Sequence, residues 1–256
     1  MPDTPKLGLP EMRSVDTAML AIALRRSWAD MKRAPGFGVM FSAVYVAIGL
    51  VLAGITWATG QSYWLVFAAV GFPLIGPFAA VGLYDVSRRI EQGRALDAYQ
   101  ILSVIQRQSK RQLPSICAII IFMFLFWFFI AHMIFALFMG LSTMTNVSTS
   151  FAIYLTGNGL SMLAVGTLVG GLFALLLYSI TVISLPLLLD REVDFVTAMI
   201  TSFQTVTHNP VPMLIWGVFI GGLTFVALLP AFLGLFVVLP LLGHATWHLY
   251  DQIRIE

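Results

Sequence analysis

Four histidines, His132, His208, His244 and His248, are the only candidate metal ligands or proton carriers in or beside the long apolar stretches of this chain. His244 and His248 stand four residues apart, which puts both imidazoles on one helix face and would let them hold a metal jointly. They occur in Gly243-His-Ala-Thr-Trp-His-Leu-Tyr250, at the end of the last apolar stretch. One helix alone would supply both ligands, so an interfacial anchor is the preferred reading of this stretch. Trp247 and Tyr250, like Trp28 near the N-terminus, would then sit at the lipid headgroups. His132 lies about 17 residues, or ~25 Å, into its apolar stretch, and an ionisable residue at that depth is a candidate buried polar site. His244 is only ~9 Å deep, and the mismatch of ~16 Å prevents it and His132 from bracketing one haem iron. No metal or cofactor is therefore expected.

The elements that carry these residues follow from composition. Of 256 residues, 59% are hydrophobic and 10% charged, with a mean hydropathy of +0.91. A soluble domain carries about 25% charged residues, so this chain cannot cover a water-facing surface. That excludes a soluble enzyme and a disordered protein, and argues against nucleic-acid recognition. The single cysteine, Cys117, excludes an internal disulfide and a Cys-based metal cluster. The short apolar run Ala18 to Leu24 is followed by its arginines, unlike a signal peptide, so a retained N-terminus is expected.

A membrane span needs about 20 mainly apolar residues. Val39 to Thr59, Tyr63 to Tyr84, Ile116 to Met139 and Gly159 to Leu189 meet this, and Met213 to Tyr250 reads as a hairpin of two more, breaking near Pro230 and Gly234. All 14 Lys and Arg fall in the N-terminal segment, in residues 88 to 111, at Arg191 and at Arg254, and the 12 Asp and Glu share those segments. The alternate connections near 60–62, 140–158 and 230–233 carry no charge. Six spans with both termini in the cytoplasm account for this partition under the positive-inside rule. The neutral segment 140–158 is expected on the outer interface.

The chain reads as one membrane domain made of three parallel repeats, 14–87, 94–190 and 193–252, each an interfacial amphipathic helix followed by a helical hairpin. In the first surface helix Leu20, Leu24, Trp28 and Met31 share one face, opposite Arg25, Arg26, Asp30 and Arg33. Phe195, Met199, Phe203 and Val206 repeat that spacing in the third, and Ala23 with Ala198, Ser27 with Ser202 and Pro35 with Pro210 match at a constant offset of 175. The middle copy, with Ile101, Leu102 and Ile105, is looser. Pro35, Pro114 and Pro210 mark the hairpin starts. The third surface helix presents Thr201, Gln204, Thr205 and His208, a polar face suited to docking a protein partner.

No Asp, Glu, Lys or Arg lies deep in a span, which argues against an ion pump or ion-coupled carrier. Asp85, Asp190 and Asp251 end the even-numbered spans, where they are expected to stay hydrated. Gly166-x-x-x-Gly170 and Gly217-x-x-x-Gly221 mark close helix packing, of these two spans on each other or on a partner. Phosphate loops, nucleophile elbows and zinc-protease signatures are missing, so no enzyme activity is expected.

The stretch Leu185-Pro-Leu-Leu-Leu-Asp-Arg-Glu-Val-Asp-Phe-Val-Thr-Ala-Met199, with Asn209-Pro210 and Gly243-His-Ala-Thr-Trp-His-Leu-Tyr250, resembles a bacterial family of six-span integral membrane proteins of unknown function. Members are sometimes labelled cytochrome c oxidase subunit I-like. The resemblance runs from about Trp28 to Tyr250. A haem–copper core subunit is far longer and needs more histidines than the four here, so the label carries no catalytic implication. The resemblance implies a bacterial inner-membrane location and an association with respiratory complexes. The expected function is an accessory, assembly or scaffold subunit in contact with the bilayer and with a larger membrane complex or further copies of itself. A channel or carrier for a neutral small solute is the alternative, and haem or metal handling at His244 and His248 the third.

Overall fold

A computed structural model describes residues 6–60, 64–140 and 154–255, with side chains from 7 to 60, 75 to 140 and 154 to 255. Most of the neutral segment expected at the outer interface, and the pair Gln61–Ser62, lie outside the described residues. The chain is a helical membrane protein. Its helices are α1 (Thr17–Arg33), α2 (Pro35–Thr59), α3 (Trp64–Glu91), α4 (Ala98–Gln108), α5 (Leu113–Met139), α6 (Gly157–Thr181), α7 (Ser184–Asp190), α8 (Phe195–His208), α9 (Pro210–Leu228) and α10 (Leu235–Ile253). Among the described residues, four segments are long and apolar enough to cross a membrane: Pro35–Thr59, Leu113–Met139, Gly157–Asp190 and Pro210–Leu228. The sequence led us to expect six spans, of which these four are shown; α3 and α10 end in polar, charged turns.

Local chemistry starts the helices where the sequence places them. Asp16, Asp97 and Asp194 cap α1, α4 and α8, each accepting a backbone N–H of the first turn at 2.8 to 2.9 Å. Proline stands in the first turn of α2, α5 and α9, where its missing N–H costs no helical bond. The break between α6 and α7 has a side-chain cause. The Ser202 hydroxyl, reaching in from α8, accepts the Ile183 N–H at 3.1 Å and donates to the Ser179 carbonyl at 2.7 Å. It thus stands between the two groups that a continuous helix would join directly.

Each of the three helices expected at the surface packs on longer helices of the bundle. The middle one, α4, packs on α3; α8 packs on α6 and α7; α1 runs antiparallel along α10. Their inward faces differ from the expected ones. Leu20, Ala23, Ser27 and Asp30 are the buried residues of α1, while Trp28 is about half exposed and carries Lys32 over its ring. In α8 the buried residues are Ala198, Ser202, Thr205 and Val206, and Phe203 points outward. Small residues bring the backbones close enough for Ser27 to donate to the Leu241 carbonyl at 2.6 Å and Ser202 to that of Ser179.

Four two-residue strands were not legible in the sequence. β1 (Lys6–Leu7) pairs in parallel with β3 (Arg191–Glu192), and β2 (Glu11–Met12) antiparallel with β4 (Arg254–Ile255). Val15 N–H adds a bond to Asn209 Oδ1 at 2.9 Å. The N-terminal segment is thereby strapped across the ends of α7, α8 and α10. The core is densest at this charged end, with Trp247, Leu249 and Tyr250 fully enclosed. The most apolar stretches of α5 and α9 bury only 22% and 17% of their residues, as helices with a lipid-facing surface do.

Candidate functional site

The most concentrated polar chemistry lies where α1, α3 and α10 meet. Asp30 Oδ2 receives the Ser87 hydroxyl at 2.7 Å and His248 Nε2 at 2.7 Å. The other ring nitrogen, Nδ1, faces Glu91 Oε1 at 2.9 Å, and Trp247 Nε1 donates to Glu91 Oε2 at 2.9 Å. Ser87 Oγ in turn meets His244 Nδ1 at 2.8 Å. A hydrogen-bonded chain therefore runs Glu91–His248–Asp30–Ser87–His244. Its first member has a side chain 26% exposed and its last is wholly buried.

Donor and acceptor capacity assigns the protons along it. Ionised carboxylates only accept, so His248, between two of them, donates from both nitrogens and is the imidazolium. The single Ser87 proton goes to Asp30, so His244 donates from Nδ1 and keeps a bare lone pair on Nε2, which is buried without a hydrogen-bond partner. Both rings lie at the charged end of α10, outside the four segments that are long and apolar enough to cross a membrane. Burial alone would lower the His248 pKa, but the hydrogen bonds and charges of Asp30 and Glu91 outweigh it and push the value up to about 9. For His244 burial wins and takes the pKa down to about 4; Asp30 opposes that shift and His248 reinforces it. Ser87, His244 and Asp30 have the residue types of a nucleophile set but not its order. The histidine gives Ser87 a proton instead of taking one, so this geometry does not activate the hydroxyl.

Two further clusters share this end of the molecule. Asp85, fully buried, receives Arg88 Nη2 at 2.8 Å and Arg89 Nε at 2.7 Å, and Arg89 reaches Gln100 of α4 at 2.9 Å. Asp190 Oδ2 receives Arg254 Nη1 at 2.7 Å, the Tyr250 hydroxyl at 2.9 Å and Arg191 Nε at 3.2 Å. Arg254 also binds Asp251 Oδ1 at 2.7 Å. The expectation that Asp85, Asp190 and Asp251 stay hydrated is corrected for the first two, which are buried and neutralised by arginines. Burial without such partners would cost several kcal/mol per ion, ~3–5 if one partner of a pair were removed.

His244 and His248 do share a helix face, but both nitrogens of His248 and one of His244 are committed to hydrogen bonds, so the pair does not present two free ligand atoms. No group of three or more His, Cys, Asp or Glu side chains suited to a metal occurs among the described residues. Trp247 and Tyr250, expected as lipid-interface anchors, are corrected to core residues: both are fully enclosed, and their polar atoms bind Glu91 and Asp190. Trp28 stays on the surface. His132 does not join the cluster. Its Nδ1 donates to the Phe128 carbonyl of its own helix at 2.8 Å, beside a groove of about 590 Å³ between α5 and α6.

Of the glycines, Gly170 faces the Trp127 ring on α5 and Gly217 the Tyr178 ring on α6, whereas Gly166 and Gly221 face open space. Asp30, Ser87 and Glu91 were missed as site residues. The available signal was that Asp30 lies three and seven residues beyond Ser27 and Ala23, on the small-residue face.

Residues 65–190 match a family model described as "predicted integral membrane protein (DUF2189)". The match covers α3 to α7, and so takes in Asp85, Ser87, Glu91 and Asp190 but neither α1 nor α10. It makes the chain similar to a membrane family of unknown function. No curated protein and no solved structure matches the chain.

Proposed function

We propose that this protein is a non-enzymatic accessory, assembly or scaffold subunit of a bacterial inner membrane, seated beside a larger energy-transducing complex. Its charged end faces the cytoplasm together with both termini, as the positive-inside rule requires of a protein whose Lys and Arg lie on one side. It is built of three parallel units, each a surface helix followed by a membrane hairpin.

The observation that carries this reading is the way the surface helices close the units on one another. Each packs on the second membrane helix of the unit before it: α4 on α3, α8 on α6 and α7, and α1 back on α10. Polar and charged groups at that end bond to each other across these seams, Asp30 to His248, Arg89 to Gln100 and Arg254 to Asp190. Such a layer is a rigid plate with its charges already satisfied, which suits a part that holds others in place. A cavity of about 240 Å³ between α2, α3 and α10, edged by Tyr45, Tyr84 and Thr246, favours a neutral-solute carrier as the second reading.

Extraction of the tagged protein from native membranes in a mild detergent, followed by mass spectrometry, separates the two. Stoichiometric recovery of one large membrane complex supports the accessory role. Recovery of the protein alone, with solute flux in liposomes, would replace it by the carrier.

A further inference from the structure

The turn between α9 and α10 has the chemistry of a segment that never meets water. From Leu228 to Leu235 it reads Leu-Leu-Pro-Ala-Phe-Leu-Gly-Leu, without one polar side chain. Much of its backbone is bonded from within. Leu229 N–H bonds the Val226 carbonyl, Phe232 that of Leu228, Leu233 that of Pro230, Leu235 that of Phe232, and Val237 and Val238 that of Gly234, at 3.0 to 3.2 Å. Pro230 has no N–H to satisfy. The reversal is tight enough that Ala231 and Phe232 take left-handed conformations (φ 50° and 67°), and a Cβ on Gly234 would come within 2.6 Å of the Ala227 backbone. In hydrocarbon a backbone group must find its partner inside the protein, and these local bonds supply such partners without water.

Two neighbours measure how far the turn reaches. Along α2, Gly38 meets Pro240 and Gly49 meets the Phe232 ring. Gly49 is fourteen residues from Pro35, ~21 Å up the helix, and α2 continues ten residues, ~15 Å, to Thr59. Along α6, Tyr178 bonds the Met213 carbonyl and packs on Gly217. From that level α6 extends twenty-one residues, ~31 Å, to Gly157, whereas α9 extends fifteen, ~22 Å, to Leu228. Both comparisons leave the turn ~10–15 Å short of the far ends of its neighbours. Trp57, near the end of α2, is 90% exposed, and tryptophan is a residue type that gathers at membrane interfaces.

We propose that α9 and α10 form a re-entrant hairpin. It enters and leaves through the cytoplasmic face, and its tip at Leu229–Gly234 stays inside the hydrocarbon. The C-terminus remains on the cytoplasmic side, as a full crossing pair would also leave it, so the charge pattern alone does not distinguish the two.

Single-cysteine variants of the full chain in a Cys117→Ala background test this in intact vesicles of known orientation. Ala58→Cys, at the far end of α2, should react with a membrane-impermeant maleimide from outside, and Gln106→Cys, on α4, only after permeabilisation. Ala231→Cys and Leu233→Cys should stay unlabelled in both conditions and react only in denaturant. A spin label at either should collide with oxygen in preference to a water-soluble nickel complex. Labelling of Ala231→Cys from outside at the rate of Ala58→Cys would overturn the proposal in favour of a full crossing, and labelling from the cytoplasmic side would place the turn in water there. If either tip variant fails to fold, Leu229→Cys, whose side chain is exposed, takes its place. The Ala58 and Gln106 variants report the orientation by themselves, so a failure of that reading is distinguishable from a failure of this one.

Discussion

His248 and Asp30, 218 residues apart in the chain, are joined by a 2.7 Å hydrogen bond that fastens the first surface helix to the last helix of the protein. Asp30 is simultaneously the acceptor for Ser87, so one carboxylate holds α1, α3 and α10 together.

Asp30→Asn should therefore be among the most damaging single changes at the charged end. It leaves the His248 imidazolium short of one counter-ion in a buried site, and removing one partner of such a pair costs about 3–5 kcal/mol. The expected outcome is a large fall in apparent Tm in detergent, with Asp251→Asn, a partly exposed ion-pair partner, nearly silent. Equal effects of the two substitutions would show that the Asp30 network does not hold the fold.

The two clustered histidines should pull the pH dependence of stability in opposite directions. The pKa of His248 is raised to about 9 in the fold, so its contribution is complete below the ordinary value of 6.5 and is lost as pH rises through 9. For His244 it is lowered to about 4, so the neutral ring is favoured by folding. That contribution is present above 6.5 and is lost as pH falls toward 4. Apparent Tm scanned from pH 4 to 9 should peak near 6.5. His248→Gln should flatten the alkaline limb, and His244→Gln the acid one.

Ser202→Ala should destabilise more than Ser27→Ala. Ser202 bridges a donor and an acceptor at the α6–α7 break and its loss strands both, for about 1–3 kcal/mol. Ser27 makes a single bond to a carbonyl, for about 1 kcal/mol. Thermal or denaturant unfolding of the two variants side by side reads the difference.

Glycines that look alike in sequence should respond differently to substitution. A Cβ on Gly82 would run into the Phe41 ring, and Gly82→Ala should cost about 1–3 kcal/mol through overpacking. Gly166 meets nothing within 4 Å, so Gly166→Leu should leave the isolated protein's Tm unchanged. If a partner helix lies there, the same variant should lower co-purification of that partner by about tenfold or more. Unchanged recovery would remove Gly166 from the partner contact.

The sequence by itself determined the class of this protein. A charge content of 10% is too low to clothe a water-soluble surface. The prolines that open α2, α5 and α9 and the Ala23–Ala198 and Ser27–Ser202 match were legible too, because proline acts within a few residues of itself and the match is one of residue type at a fixed spacing. Tertiary structure decided which face of each surface helix turns inward. Large apolar residues dominate helical periodicity, but in lipid they need no protein cover, and close helix contact selects Ala23, Ser27, Ala198 and Ser202 instead. Only the folded chain brings Asp30 to His248, Glu91 to Trp247 and Asp190 to Arg254. A charge pair across such separations leaves no local pattern, and whether a carboxylate is hydrated or buried depends on partners that only folding supplies.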